Sequence, residues 1–301
     1  TEPSRAARIL GLCKIGLVLR YFAPQISEAA AELGALLSKW LPRIEAASGR
    51  DAYYRVLADL AAQLPDRHAG IIAPALESSS VISRPSKPMV LGSVWLGHLH
   101  YLRALPDNLV YMRPFAMPDV AALRAAFALI QNTRGLLLDL RGYPQTHFQH
   151  DLVRCLCDWP VASPRYEIPI VSGPDVSQRT WQVVQHTVRP DGRVVYLQPV
   201  VALIDATTQS SAEDFGMYLK IAGRVTFVGQ RTAGCVGNAT YVNLPGGGRL
   251  TFTGMRVTWP DGRPVWGIGL VPDVNVAVHA DVFDTGLEVL QTLSVHEYAR
   301  D

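Results

Sequence analysis

Cysteine is scarce in this chain, with 4 among 301 residues, so a disulfide-stapled scaffold is excluded. Cys155 and Cys157 stand two apart in DLVRCLCDW. On a helix that spacing points them to different faces, and they read as small apolar residues rather than a metal pair. Excess charge is missing too. The net charge is +2 with no basic run, which argues against nucleic acid as a partner. No apolar stretch reaches the length of a membrane span. The first residues, TEPSRAARILGLCKIG, lack a basic-then-apolar leader with a small-residue cleavage site. The expected compartment is extracytoplasmic if a signal peptide was removed and cytoplasmic otherwise. No internal repeat is found. What is present is apolar material: 49% of the residues are hydrophobic, enough for one large core or two smaller ones.

Residues 1–70 are expected to form a helical bundle. Ala and Leu recur at helical spacing through ISEAAAELGALLSKWLPRIEAA and DAYYRVLADLAAQL, with Pro24 and Ser48–Gly49 as punctuation. Residues 71–107 read as a linker or the remnant of an inserted domain. ESSSVISRPSKP has loop composition, and VWLGHLHYL alternates in a way that suits a strand or a short helix. From residue 108 to 301 strands and helices alternate. LVYMRPF, GLLLDLRG, VVYLQPVVALID (a strand pair or one bent strand) and RVTFVGQ are strands. VAALRAAFALIQN, HDLVRCLCDW and SAEDFGMYLKIAG are helices. That order predicts an α/β domain with a mostly parallel sheet and crossover helices. Turn signals at GGG and PDG in LPGGGRLTFTGMRVTWPDGRP predict a β-hairpin after it.

The richest stretch for chemistry is ALIDATTQSSAEDFG, residues 202–216. An apolar strand runs into a polar turn carrying Ser210 and Ser211, and a helix begins at once. A hydroxyl there sits at the electropositive mouth of a helix, where free N–H groups favour an oxyanion. The plainer role for the same residues is a capping box, Ser210 with Glu213. In DLRGYP a buried strand ends in Asp139 and Arg141 before Gly142–Tyr143–Pro144. Ligand sites on parallel sheets sit at such strand ends, though an Asp–Arg pair also closes loops. LPDRHAG places His68 in a short polar turn after a helix. His147 and His150, in HFQH, have a spacing that suits a metal, but no carboxylate-rich companion supports one. GQRTAGCVGN and GIGLVPDVNV are glycine-rich turns beside strands.

Taken in order, LPDRHAG, LLLDLRGYP, LIDATTQSSAE, VGQRTAG, LPGGG, FTG, WPDGRP and GLVPDV resemble the S41 peptidases, a family of tail-specific proteases and tricorn-core-like enzymes with a ClpP/crotonase-like sheet. The resemblance implies that Ser210 is the nucleophile, in the S-x-x-E element. It implies oxyanion donors from the N–H of Ser211 and from the Gly142–Tyr143 turn; Pro144 has no N–H to give. The processing proteases carry a lysine base one residue after a Thr–x–Gly turn. Here that turn is Thr232–Ala233–Gly234, and the next residue is Cys235. The resemblance is therefore to the tricorn-like Ser–His side, with His68 as base, an imidazole being well poised near neutral pH. The glutamate that orients the histidine in that branch has no counterpart near Trp266. Glu213 is the expected third member, with Asp66 behind it. Many relatives insert a PDZ domain after the DxH turn. The stretch before residue 108 is too short for one, so a carboxyl-terminal preference for substrates is not assumed.

The expected function is a serine endopeptidase hydrolysing peptide bonds through an acyl-enzyme. No metal or organic cofactor is implied, and the partner is a peptide or protein substrate. The alternative is a non-catalytic binding module for an apolar ligand or peptide on the same architecture, and a weaker third option is an esterase using the same serine.

Overall fold

The computed structural model describes residues 2–27, 30–73, 100–144 and 146–298. Most of the stretch expected as a linker or domain remnant, 74–99, lies outside them. The chain forms two compact units, each assembled from three separate stretches. The first takes residues 1–85, 166–184 and 237–257, and the second takes 86–165, 185–236 and 258–301.

The first unit contains the expected helices, Arg5–Phe22, Pro24–Ser27, Ala30–Ala46 and Arg50–Ala61. Ser4 caps the first by accepting the Ala7 N–H at 3.2 Å. Pro24 opens the one-turn second helix. Gly49, at φ 85°, precedes the fourth in a backbone region open to glycine. A Cβ on Gly16 would lie 2.4 Å from Leu37, so the first and third helices pack through this small residue. The helices share one core, with Leu19, Ile44, Tyr53, Leu57 and Phe252 all buried. Each fully buried aliphatic side chain there is worth about 1.5–3 kcal/mol. Phe252 comes from an antiparallel sheet of Gly70–Ile72, Arg249–Thr253 and Ala239–Asn243, in that order. The last two strands form a hairpin that turns at the expected GGG signal, Leu244–Gly248, where the Leu244 N–H donates to the Gly248 carbonyl at 2.8 Å. Its first strand precedes the stretch read as a hairpin, and the PDG turn carries only the isolated bridge Thr258–Pro264. A second hairpin, Arg165–Val171 with Arg179–Val184, was not read from the sequence.

The second unit is built on a six-stranded sheet. Its order is Val274–Asn275, Thr226–Gly229, Val200–Ile204, Gly135–Asp139, Leu109–Met112, Leu102–Leu105. The first five strands are parallel and the last is antiparallel. Gly135–Asp139 and Val200–Ile204 are buried at every position, which explains their unbroken apolar runs. The crossover helices Val120–Leu129, Gln149–Leu156 and Ser211–Ala222 fall where periodicity places them. Val194–Leu197 does not extend the strand at Val200. Pro199 has no N–H for a ladder, and the Tyr196 N–H instead donates to the Cys155 carbonyl at 2.8 Å. The architecture is thus α/β as expected: helices, a mostly parallel sheet and a hairpin. No helix among the described residues is long and apolar enough to cross a membrane.

Candidate active site

In the second unit the chain leaves Val200–Ile204 and turns through Asp205–Gln209 before Ser211–Ala222 begins. Asp205 closes this turn, accepting the Thr207 N–H at 2.7 Å and hydroxyl at 2.6 Å. Thr208 is fully buried. Its hydroxyl donates to the Leu140 carbonyl at 3.0 Å, and its carbonyl accepts the Ala233 N–H at 3.1 Å. One threonine thereby joins the ends of three parallel strands. At the end of the turn Ser210 sits at φ 53°, ψ −116°. A non-glycine residue there costs about 1–3 kcal/mol and persists only where its surroundings over-determine it.

Glu213 supplies that determination. It is fully buried, and its Oε2 accepts the Ser210 N–H at 3.0 Å and the Cys235 N–H at 2.8 Å. Its Oε1 accepts the Thr232 hydroxyl at 2.6 Å and the Gly234 N–H at 2.7 Å. The Ser210 contact is the glutamate half of the capping box; the other three tie the Thr232–Gly234 turn and Cys235 to the same carboxylate. The expected role of Glu213 is to orient a histidine, and none of these four partners is one. A carboxylate has about four acceptor positions, and all four here hold donors from its own unit. Cys235, standing where a lysine base would stand, is buried with its N–H held by Glu213.

The DLRGYP turn lies beside this one. Arg141 grips Asp139 through Nε at 2.9 Å and Nη2 at 2.7 Å, and the Tyr111 hydroxyl donates to the same carboxylate at 2.6 Å. Burial and then the Asp139 charge push the Tyr111 hydroxyl well above its usual pKa, so it stays protonated and donating. Asp139 and Arg141 therefore close the loop. The Gly142 N–H, one of the two expected oxyanion donors of this turn, already donates to the Thr207 hydroxyl at 3.0 Å. Tyr143 follows it with an exposed side chain.

A histidine reaches the turn that sequence reading missed. His147 Nδ1 lies 3.0 Å from Ser211 Oγ. The other half of HFQH goes elsewhere: His150 Nε2 is 3.0 Å from the Tyr218 hydroxyl and 3.0 Å from His186 Nε2. The two histidines face different partners.

In the first unit the Leu64–Gly70 turn is clamped to the strand Arg249–Thr253. Asp66 accepts the His68 N–H at 2.9 Å, the Thr253 N–H at 2.6 Å and the Thr253 hydroxyl at 2.7 Å. Thr251 donates its hydroxyl to the His68 carbonyl at 2.7 Å. The imidazole is fixed as well, with Nδ1 2.9 Å from Thr253 Oγ1.

Comparison with known proteins agrees with the motif order. The signature of Peptidase family S41 matches residues 166–276, a stretch holding Ser210, Glu213, the Thr232–Gly234 turn and Thr253. No curated protein matches the chain. Among solved structures, a provisionally assigned peptidase from Parabacteroides merdae superposes with TM-score 0.73 at 15% identity, covering 97% of this chain and 96% of that one. Mature CPAF superposes with TM-score 0.69 at 14% identity, covering 96% of each chain. The photosystem II D1 C-terminal processing protease gives TM-score 0.56 at 17% identity, covering 96% and 97%. At such identities the likeness shows a shared fold. The chain shares the fold of these solved structures, and its similarity to Peptidase family S41 lies in residues 166–276.

Proposed function

We propose that this protein is a serine endopeptidase of the S41 type, acting by acyl transfer with Ser210 as nucleophile and His68 as general base. The observation that carries the proposal is the Ser210 backbone at φ 53°, held at the mouth of a helix by a buried glutamate. Strain of this kind is retained where a side chain must be aimed. Ser210 attacks the scissile carbonyl carbon while His68 takes its proton. The carbonyl oxygen, now an anion, is held by the Ser211 N–H at the helix start and by the Tyr143 N–H, its neighbour Gly142 being engaged with Thr207. The C–N bond breaks as the imidazolium returns the proton to the leaving amine. Water, deprotonated by the same imidazole, then releases the acyl group. The pairing of Ser210 with His68 rests on the motif order and on the S41 signature, with no lysine after Thr232–Gly234 to serve instead.

Ser210→Ala is expected to abolish peptide cleavage, with its thermal unfolding within a few degrees of wild type, and a fluorophosphonate is expected to label Ser210 alone. Cleavage by Ser210→Ala at the wild-type rate sinks the proposal. The 3.0 Å contact of Ser211 with His147 favours one rival, with Ser211 attacking and His147 as base. His147→Ala and His68→Ala separate the two: loss of turnover in His68→Ala alone supports His68, and loss in His147→Ala alone supports the rival.

A further inference from the structure

We infer that His150, His186 and Tyr218 form a binding site for a divalent transition-metal ion. All three belong to one compact unit, and the inference does not depend on which serine or histidine acts in catalysis.

Three ligand-type atoms stand at the corners of a nearly equilateral triangle. His150 Nε2 lies 3.0 Å from the Tyr218 hydroxyl oxygen and 3.0 Å from His186 Nε2, and those two atoms are 2.9 Å apart. Protons alone do not bond every edge. A ring nitrogen has one in-plane position, which holds either a proton or a lone pair. With one histidine protonated at Nε2, the hydroxyl and that N–H each donate once, serving two edges. With neither protonated only one edge is bonded, and with both the two N–H groups oppose each other. This holds whatever else the three residues touch through their other atoms. A cation above the triangle meets three lone pairs at once. With metal–ligand bonds of about 2.0–2.1 Å, edges of this length subtend roughly 95° at the ion. Those are the angles of three neighbouring corners of an octahedron, a facial set with open positions opposite. Imidazole suits zinc, copper, iron and nickel, and a phenol oxygen that binds such an ion gives up its proton to do so. Among the described residues no third histidine, cysteine or acid completes a set with these two histidines, so tyrosine is the third ligand.

The fold brings the three from separate elements. His150 is the second residue of Gln149–Leu156, and Tyr218 lies two turns into Ser211–Ala222. His186 comes just before the short strand Thr187–Val188. Its backbone is clamped by Ser163, which is fully buried. The His186 N–H donates to the Ser163 hydroxyl at 3.0 Å, and the His186 carbonyl accepts the Ser163 N–H at 2.8 Å. Tyr218 is buried and His186 is exposed. The triangle therefore has a closed side and an open one, where water completes the coordination shell. The HFQH pattern pairs His150 with His147, but the folded chain supplies His186 instead, 36 residues on.

The test is metal binding by the whole protein, prepared without a polyhistidine tag and stripped with a chelator. Calorimetric titration with Zn²⁺ alone near neutral pH is expected to show one strong site. His186→Ala changes an exposed position, and Tyr218→Phe keeps the ring and removes the ligand. Each is expected to stay folded by circular dichroism and to weaken Zn²⁺ binding at least about 100-fold, the upper range for loss of an outer-shell partner. With Cu²⁺, wild type is expected to develop a phenolate-to-copper charge-transfer absorption that Tyr218→Phe lacks. Absence of Zn²⁺ binding by wild type overturns the inference. So does a folded His186→Ala or Tyr218→Phe with wild-type affinity, which would mean that scattered surface histidines hold the ion. Neither measurement reads peptide cleavage, so this inference and the proposed activity stand or fall separately.

Discussion

Four donors converge on the Glu213 carboxylate from two segments of chain, and each depends on its charge. Glu213→Gln keeps the volume and turns one acceptor into a donor that faces N–H or O–H groups. Unfolding in urea is expected to show a loss of about 3 kcal/mol, the order found when buried donors lose a charged acceptor. Released Ser210 should relax toward an ordinary backbone conformation, so fluorophosphonate labelling is expected to slow by at least about tenfold even where the protein remains folded. Equal stability and equal labelling would mean that the carboxylate does not set the turn. At this scale the sequence was partly legible. The turn that carries Ser210 was legible because an apolar strand, a polar turn and a helix start are all local patterns. The full duty of Glu213 does not, since three of its donors come from Thr232, Gly234 and Cys235, far along the chain. The contact of His68 with Thr253 was hidden for the same reason, the two lying 185 residues apart.

The helices Gln149–Leu156 and Ser211–Ala222 meet through a polar seam within a largely apolar contact. Gln149 donates to Asp214 at 3.2 Å, and His150, His186 and Tyr218 meet at mutual distances of 3.0, 2.9 and 3.0 Å. Burial holds the His150 pKa below its usual 6.5, helped by His186 and Arg154 and opposed by Asp151. The sign follows from linkage. Below pH 6.5 the unfolded chain takes up a proton that the folded one resists, so stability is intact above that value and falls as pH drops beneath it. Melting temperature should decline from about pH 7.5 to about pH 5.5, and His150→Gln should flatten part of that decline. An unchanged slope in the variant would assign the pH dependence elsewhere. The elements themselves were largely readable, because buried parallel strands are uniformly apolar and amphipathic helices are periodic. The hairpin of Arg165–Val171 and Arg179–Val184 escaped because Pro169 interrupts a strand pattern, and its apolar residues Ile168, Ile170 and Val183 are exposed.

Across the molecule, contiguous segments of sequence were expected to be domains, but the chain passes between its two units five times. Local pattern cannot reveal that, because it carries no record of which distant strand a turn will pair with. Only 38 residues separate Gly70 from Leu109, the first residue of a central parallel strand, fewer than an ordinary small domain holds. Peptides of one sequence with a free or an amidated C-terminus are therefore expected to be cleaved with kcat/KM within about threefold of each other. A strong preference for the free acid would show that carboxylate recognition resides elsewhere in the chain.

The interleaving also bears on the newly made protein. Synthesis delivers the Leu64–Gly70 turn early, yet Thr253, whose N–H and hydroxyl hold its Asp66, follows 187 residues later. The first compact unit can complete its hydrogen bonds only after the second has received Ser210 and the Thr232–Gly234 turn.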